Sequence, residues 1–472
     1  MTNRKLALRV TASLVAMTAA TAVSAQTAPP AADSAVAAEA AASGQEIIVT
    51  GSRIRRDPLN QASPVITLDQ NALAQTGLSA VADILQRLPS ASGGLNSKVN
   101  NSGNLGNPPD GGGVGAGSAE IDLRYLSAKR TLVLVDGLRF VNGTSGSGIP
   151  ATVDLNTIPA NMIDRVEVLQ AGASPLYGSD AIAGVVNVIT VSKQKGLRLS
   201  AQYGSFRQGD GETQDYSASY GFAGPTTNIV FGASYVKQEP VRSADRSISL
   251  FPNPGQTACT NPVGGCSSAA LNGRFLTFNG NQTISTAPDS TPTLGELRAF
   301  TAADRFNFAP FNYLLTPSER YGGWVSARQA LSDTINLRIK GSWNRRKSQN
   351  QAAFLPLFIG PDAGNGAGSL FDTLSFDATN PFNPFGVTLQ SGVNPDGTPN
   401  GLTPNYSFIA RRLVEAGQRT FDQRVTTYSA TATLDGSFDV GGHKWYWDVN
   451  GSFGINKAKQ SFTGNVRADR VA

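Results

Sequence analysis

The sequence predicts a small α/β domain followed by the strands of an antiparallel transmembrane β-barrel, with the barrel incomplete in this chain. Three observations carry that reading. From residue 197 onward, apolar and polar residues alternate with a period of two, as they do along strands with one apolar face. The links between these strands alternate between short and long, the layout of a barrel with tight turns on one side of a membrane and long loops on the other. Glycine, at 50 of 472 residues, exceeds the usual ~7%, and charged residues make up only 15% of the chain against roughly 25% in soluble domains.

The N-terminus comes first. Arg4, Lys5 and Arg9 precede the apolar stretch "VTASLVAMTAATAVSA", which ends at Val23-Ser24-Ala25. A positive start, a short apolar run and a small-residue end describe a secretory signal peptide over residues 1–25. Residues 26–45 hold no aromatic and no large apolar residue except Val36, so they bury too little surface to fold and read as a flexible tether. At its end stands "EIIVTGSR", residues 46–53. Ile47, Ile48 and Val49 are strand formers with no strand nearby in sequence, and a strand needs a neighbour for its backbone groups.

Residues 57–192 read as a compact α/β unit. In "TGLSAVADILQRLPS", Leu78, Val81, Leu85 and Leu88 recur at helical spacing up to Pro89, which predicts an amphipathic helix with a clear stop. "RTLVLVDGLRFV" predicts a hairpin turning at Asp136-Gly137. "IDRVEVLQAG" and "GVVNVITV" read as two further strands. Two polar, Gly-rich loops lie between these elements, residues 96–118 and 142–148.

Residues 193–472 follow as strands and connections. Seven strands are expected, at 197–206, 213–222, 227–237, 320–331, 333–346, 424–438 and 443–456. In the third, Ile229, Phe231, Ala233 and Tyr235 share one face. In the last, Trp445, Trp447, Val449, Phe453 and Ile455 oppose Tyr446, Asp448, Asn450, Ser452 and Gly454. The links after the third and fifth strands are long, over 238–319 and 347–423. A soluble β-sandwich is the alternative, but it predicts no such parity and requires the Trp/Phe face to be covered.

Composition and spacing exclude several chemistries. A net charge of +5 with scattered Lys and Arg gives no basic stripe for nucleic acid. One histidine, His443, and two cysteines offer no set of metal ligands and no Ser/His/Asp triad. The glycines at 111–117 lack the flanking strand, helix and Gly-Lys-Ser/Thr of a phosphate loop. Asp164 and Glu167 read as solvated or arginine-paired rather than as an acid-base couple. No catalytic residue, cofactor or metal is therefore expected. Cys259 and Cys266, seven residues apart, fit a small disulfide loop in an oxidising compartment better than a metal site.

"MIDRVEVLQAGASPLYGSDAIAGVVNVIT", residues 162–190, preceded by "RTLVLVDGLRFV", resembles the plug domain of TonB-dependent outer-membrane receptors. The resemblance covers about residues 46–192 and continues as barrel texture. It implies a bacterial outer-membrane location, contact with outer-membrane lipid, and uptake of a scarce small-molecule or chelate ligand driven by the periplasmic protein TonB. It also gives "EIIVTG" a partner. Glu46, Ile47, Ile48, Val49 and Thr50 match the position of the TonB box, which adds to TonB as a β-strand. The two Gly-rich loops match the apical loops that meet ligand, with Asn96, Asn100, Asn101, Asn104, Asn107, Asp110, Asn142, Thr144 and Ser145 as the polar side chains. Gln170-Ala171-Gly172 departs from the family's Arg-Gly-Pro, and Tyr125 stands where glycine is common. Only the tether separates the signal peptide from the box, so transport is expected rather than signalling.

The family's barrels have about 22 strands, more than residues 192–472 supply at about 9–11 residues per strand. The expectation is an N-terminal part of a receptor. The rival readings are a non-transporting exported fragment or a plug-type binding module.

Overall fold

The computed structural model describes residues 65–70, 76, 80–91, 98, 117–143, 152–170, 173–260, 265–285, 291–365, 369–394 and 396–467. The chain opens with β1 (Val65–Asp69) and the helix α1 (Val81–Leu85), then β2 (Thr131–Val135), β3 (Leu138–Arg139), β4 (Ile163–Leu169), the short helix α2 (Ser174–Tyr177) and β5 (Gly184–Thr190). The strands form one sheet in the order β1-β4-β5-β2-β3. Only β2 and β5 run parallel. All seven residues of β5 are buried, which explains its unbroken "GVVNVIT". A strand covered on both faces has no reason to alternate. Of its two polar members, Asn187 accepts a hydrogen bond from Gly137 N at 3.0 Å and Thr190 Oγ1 donates to Asp136 Oδ2 at 2.7 Å.

The expected hairpin forms. Asp136 (φ +51°) and Gly137 (φ +79°) both adopt left-handed backbone, the requirement of a two-residue turn between right-twisted strands. The helix is shorter than its spacing predicts. It ends at Leu85, and the bonds Arg87 N to Ile84 O and Leu88 N to Leu85 O then tighten into i→i+3 turns. Pro89 disfavours helical backbone at the residue before it, and the last turn tightens accordingly. Leu88 still packs on the core formed by Val81, Leu85, Val166 and Val186, so the face was read correctly although the end was not.

The chain next builds β6 (Gly196–Gly204), β7 (Thr213–Ala223) and β8 (Thr227–Gln238). It leaves through β9 (Val241–Arg242), β10 (Arg274–Thr277), β11 (Gly280–Ile284), β12 (Leu297–Ala299) and β13 (Tyr313–Leu315). It returns as β14 (Ser318–Ala330) and β15 (Ile335–Ala352), leaves through β16 (Leu355–Ile359) and β17 (Tyr406–Leu413), and returns as β18 (Arg419–Val440) and β19 (His443–Thr463). The seven long strands form an antiparallel meander, β19-β18-β15-β14-β8-β7-β6. These are the seven expected, but several run further. β15 continues to Ala352, β18 begins at Arg419 and β19 reaches Thr463. In these extensions both faces are largely polar, so the period-two signal fades while the hydrogen-bond ladder continues.

Residues directly opposite in the ladder share a face. The row Val230–Ser326–Lys340–Thr431–Ser452 lies on the inner face, and Phe231–Val325–Gly341–Ala430–Phe453 lies on the outer one. The plug packs on the inner face, where Met162 and Val191 meet Val230 and Trp324. On the outer face Leu199, Phe231, Trp445 and Phe453 are all exposed, as a lipid-facing wall requires.

The two long connections are not plain loops. Short strands from both join in a second sheet, β12-β11-β10-β17-β16, with β10 pairing across to β17 at Phe275–Ile409. Strands of three to eight residues among Gly, Asn and Pro are too short to stand out as a period. This excursion sheet lies at the end of the meander opposite the tight turns at 224–226, 331–334 and 441–442, hence on the extracellular side of a barrel. Cys259 and Cys266 are joined by a disulfide within the first excursion.

Candidate functional site

The plug is held to the inner wall by charges that alternation places there. The even-numbered residues of β15, from Asn336 to Asn350, face inward and are all polar. Lys340 Nζ donates to Asp136 Oδ2 at 2.7 Å and to Thr190 Oγ1 at 2.6 Å. Asp136 also accepts from Thr190 N at 3.0 Å, so one lysine of the wall clamps the hairpin turn to β5. Higher on the same strand, Arg346 is fully buried and ion-paired with Asp154 at 3.1 Å. Its Nη2 also donates to Ser118 Oγ at 3.0 Å and to Gln423 Oε1 at 2.6 Å. Asp154 accepts from Ala119 N and Asn156 N, both at 3.0 Å. A buried cation needs such a shell, because removal from water costs more than one contact returns.

Three further hydrogen bonds complete the seat. Arg320 donates to Asn156 Oδ1. Trp324 Nε1 donates to Asn161 Oδ1 at 3.0 Å, and Asn161 Nδ2 donates to Ala233 O at 3.0 Å. Gly117, at φ +71°, passes so close to β15 that a Cβ there would lie 2.3 Å from Ser348 Cβ. Only glycine satisfies both the backbone and the gap. Between the plug and the first strands a cavity of about 390 Å³ remains, lined by polar residues such as Arg198, Asp215 and Asn344 and by apolar ones such as Ile84, Leu155 and Ile158.

The extracellular mouth combines unmet polar groups with apolar surface. Asn350 is almost fully buried on the inner wall, and neither atom of its amide has a hydrogen-bond partner; Gln423 Nε2 is likewise without one. Arg419 follows two rungs further along. In the excursion sheet, Arg412 donates to Phe354 O at 2.6 Å and lies over the Phe306 ring. Burial, reinforced by repulsion from Arg419, pulls Arg412 down to about 10. An apolar cavity of about 710 Å³ opens on the same sheet, lined by Phe275, Phe376, Phe385, Leu389 and Ile409. In the plug, burial raises the carboxyl of Asp122 above the usual range. Among the described residues, no group of three or more His, Cys, Asp or Glu could hold a metal ion.

Of the site residues expected from sequence, Asn142 is described and exposed. It stands at the base of the second Gly-rich loop, which the bond from Gly143 N to Thr152 O at 2.9 Å closes. Glu46, Ile47, Ile48, Val49, Thr50, Asn96, Asn100, Asn101, Asn104, Asn107, Asp110, Thr144 and Ser145 lie outside the described residues. At the first loop, Lys98 O accepts from Thr316 N at 3.1 Å, and Lys98 Nζ pairs with Asp83 at 2.8 Å. Arg165 bridges Asp164 at 3.4 Å and Glu167 at 2.9 Å, the arginine pairing expected of those carboxylates. Tyr125 adopts φ +59°, a left-handed backbone that favours glycine. Sequence reasoning missed Lys340, Arg346 and their partners, although the all-polar inward register of β15 marks them.

A small sheet domain seated on the polar inner wall of a meander whose outer wall is apolar is the architecture of a plug against the strands of an outer-membrane β-barrel. Residues 57–185 match the family model described as TonB-dependent Receptor Plug Domain, and over that stretch the chain is similar to TonB-dependent receptors of the outer membrane. The vitamin B12 transporter BtuB of Vibrio cholerae serotype O1 is 30% identical over 163 residues, which cover 34% of this chain and 23% of that protein. The match therefore spans about a quarter of the curated relative's length. Among solved structures, the unliganded ferric citrate transporter FecA superposes with a TM-score of 0.40 at 10% identity, covering 85% of this chain and 49% of that one. BauA, the ferric preacinetobactin receptor from Acinetobacter baumannii, gives 0.42 at 11% identity, covering 87% and 49%. The curated relative is named as a transporter, in keeping with the non-enzymatic reading of the sequence.

Proposed function

We propose that this chain is the N-terminal part of an energised uptake receptor, with a signal peptide over 1–25, a tether over 26–56, the plug over 57–192 and the first barrel strands over 193–472. Ligand enters at the mouth, between the apical plug loops and the excursion sheet. There the buried arginines and the unmet amide of Asn350 offer hydrogen bonds, and the Phe-lined cavity offers apolar contact, a combination suited to a chelate or other mixed polar and apolar small molecule. TonB takes residues 46–50 as an added strand and pulls through the plug. The observation that carries the reading is the plug's seat. It is held by discrete ion pairs to Lys340 and Arg346 rather than by a continuous apolar interface, so it is firm at rest and separable under load.

β6 and β19 have no strand partner on their outer edges among the described residues. A lipid-embedded edge is prohibitive, so transport requires further strands to close the wall. The rival reading, an exported binding module without transport, lacks that closure. Heat-dependent gel mobility of an outer-membrane species favours the receptor, and loss of the protein from the membrane fraction favours the rival. The direct test is crosslinking of a cysteine placed at Thr50 to TonB, with and without Ile48→Pro. Proline removes a backbone donor and should abolish the crosslink. An unchanged yield would falsify the TonB assignment.

A further inference from the structure

The excursion sheet has two unlike faces. Opposite partners in a ladder share a face, so Phe275, Ile409 and Ile359 lie on one side while Arg274, Ala410 and Arg412 lie on the other. The first side lines the apolar cavity of about 710 Å³. The second gathers arginines among aromatic rings. Arg412 lies 4.9 Å from the centroid of Phe306, which stacks on Phe311 at 5.5 Å, and Phe311 meets Phe354 at 4.9 Å. Arg305 and, at the start of β18, Arg419 join them. The carboxylates nearest these arginines in sequence are engaged elsewhere. Glu415 pairs with Arg411 and Asp304 with Arg298, each at 2.5 Å, and Asp422 accepts from Gln349 at 2.7 Å.

Two of the arginines are committed within the sheet. Arg274 lies over the Phe300 and Phe408 rings and donates to Asn281 Oδ1 at 2.8 Å, and Arg305 donates to the carbonyl of Cys266 at 3.2 Å. Arg412 and Arg419 keep donors in hand. Arg412 Nη1 donates to Phe354 O at 2.6 Å and Arg419 Nε to the neighbouring Ala353 O at 2.8 Å, which brings both guanidinium groups to one stretch of chain. Arg412 is 2% and Arg419 8% exposed, neither has an ion pair among the described residues, and Arg412 Nε is buried without a hydrogen-bond partner. Repulsion from Arg419 is felt at Arg412, which at about 10 is still a cation at neutral pH. Toward the plug, Asn350 Nδ2 and Gln423 Nε2 are two further buried donors without partners. Native interiors leave few such groups, and a buried cation without a counter-charge is costly.

We infer that Arg412 and Arg419 hold an organic oxyanion, such as a carboxylate, carried on an aromatic framework; this rests on the mouth being where ligand enters. The element the site lacks is an acceptor with negative charge. Guanidinium edges take a planar oxyanion through paired hydrogen bonds, and the rings of Phe306, Phe311 and Phe354 beside them suit an aromatic ring better than a bare inorganic ion. The donors of Asn350 and Gln423 continue the site inward, toward further oxygens of the same molecule. A neutral ligand would leave both charges buried and uncompensated.

The test is equilibrium dialysis of the full chain, folded in detergent, against 1-naphthoate and its uncharged isostere 1-naphthamide. The parent should hold naphthoate more tightly than naphthamide. The variant R412Q/R419Q should lose naphthoate affinity by on the order of tenfold or more and keep its affinity for naphthamide, which serves as the control for folding. Should the double variant lose both probes, the milder R412K decides, since it keeps the charge but not the planar fork and should lose part of the preference for naphthoate. Equal affinity of the parent for the two probes, or a preference unchanged in R412K and in R412Q/R419Q, overturns the site. Displacement of naphthoate by inorganic phosphate as readily as by benzoate overturns the aromatic part, in favour of a plain anion site. Naphthoate binding that appears only in Asp110→Asn also overturns it, in favour of the plug loop's own carboxylate as the occupant. TonB takes no part in these measurements, so their failure leaves the Thr50 crosslink, and with it the uptake reading, standing.

Discussion

The plug and the meander handle polarity in opposite ways. In the plug, Val166, Val168, Val186 and Val188 are fully buried, and charges such as those of Arg139 and Asp180 lie at the surface. In the meander, Arg346 is 0% exposed while Leu199 is 72% and Phe453 61% exposed. The same period-two chemistry yields both, and the difference lies in what each face touches. The plug has water outside it and itself within. The meander has lipid outside and the polar flank of the plug within, so its inner wall takes the ion pairs and its outer wall the aromatics.

The largest expected effect comes from breaking the inner wall. Asp154→Ala leaves Arg346 buried without its carboxylate and should destabilise the seated plug by about 3–5 kcal/mol, measured by urea unfolding of the vesicle-folded protein. Leu85→Ala, a cut in the plug's own core, should cost about 2–5 kcal/mol. The comparison is sharpened by Phe231→Ala on the outer wall, which should change detergent-phase stability far less. Val325→Arg, near the middle of the outer band, should cost about 2–4 kcal/mol for insertion into vesicles, and equal stability of variant and parent in lipid would refute the lipid-facing assignment.

The smallest effect concerns acid. Hydrogen bonding from Arg298, with help from Thr301, holds the Asp304 carboxyl at about 2, below the ordinary 3.8. A depressed carboxylate stabilises its fold above the unfolded value and loses that contribution as pH falls from 3.8 toward about 2. Hydrogen exchange in residues 291–305 should therefore quicken across that window. Asp304→Asn should exchange faster than the parent at neutral pH and show no further acid step.

The sequence by itself determined the seven long strands and which side of each strand is apolar, because alternation is a local property that needs no partner to be read. It also marked the Asp136-Gly137 turn, where two adjacent positions demand left-handed backbone. Tertiary structure alone decided that α1 stops at Leu85, that β10 and β17 from separate excursions share a sheet, and that Lys340 reaches Asp136 and Arg346 reaches Asp154. The pairings of Lys340 and Arg346 join residues some two hundred positions apart. A lysine on a polar strand face looks the same in sequence whether it meets water or a carboxylate, and only docking of the plug against the wall distinguishes the two.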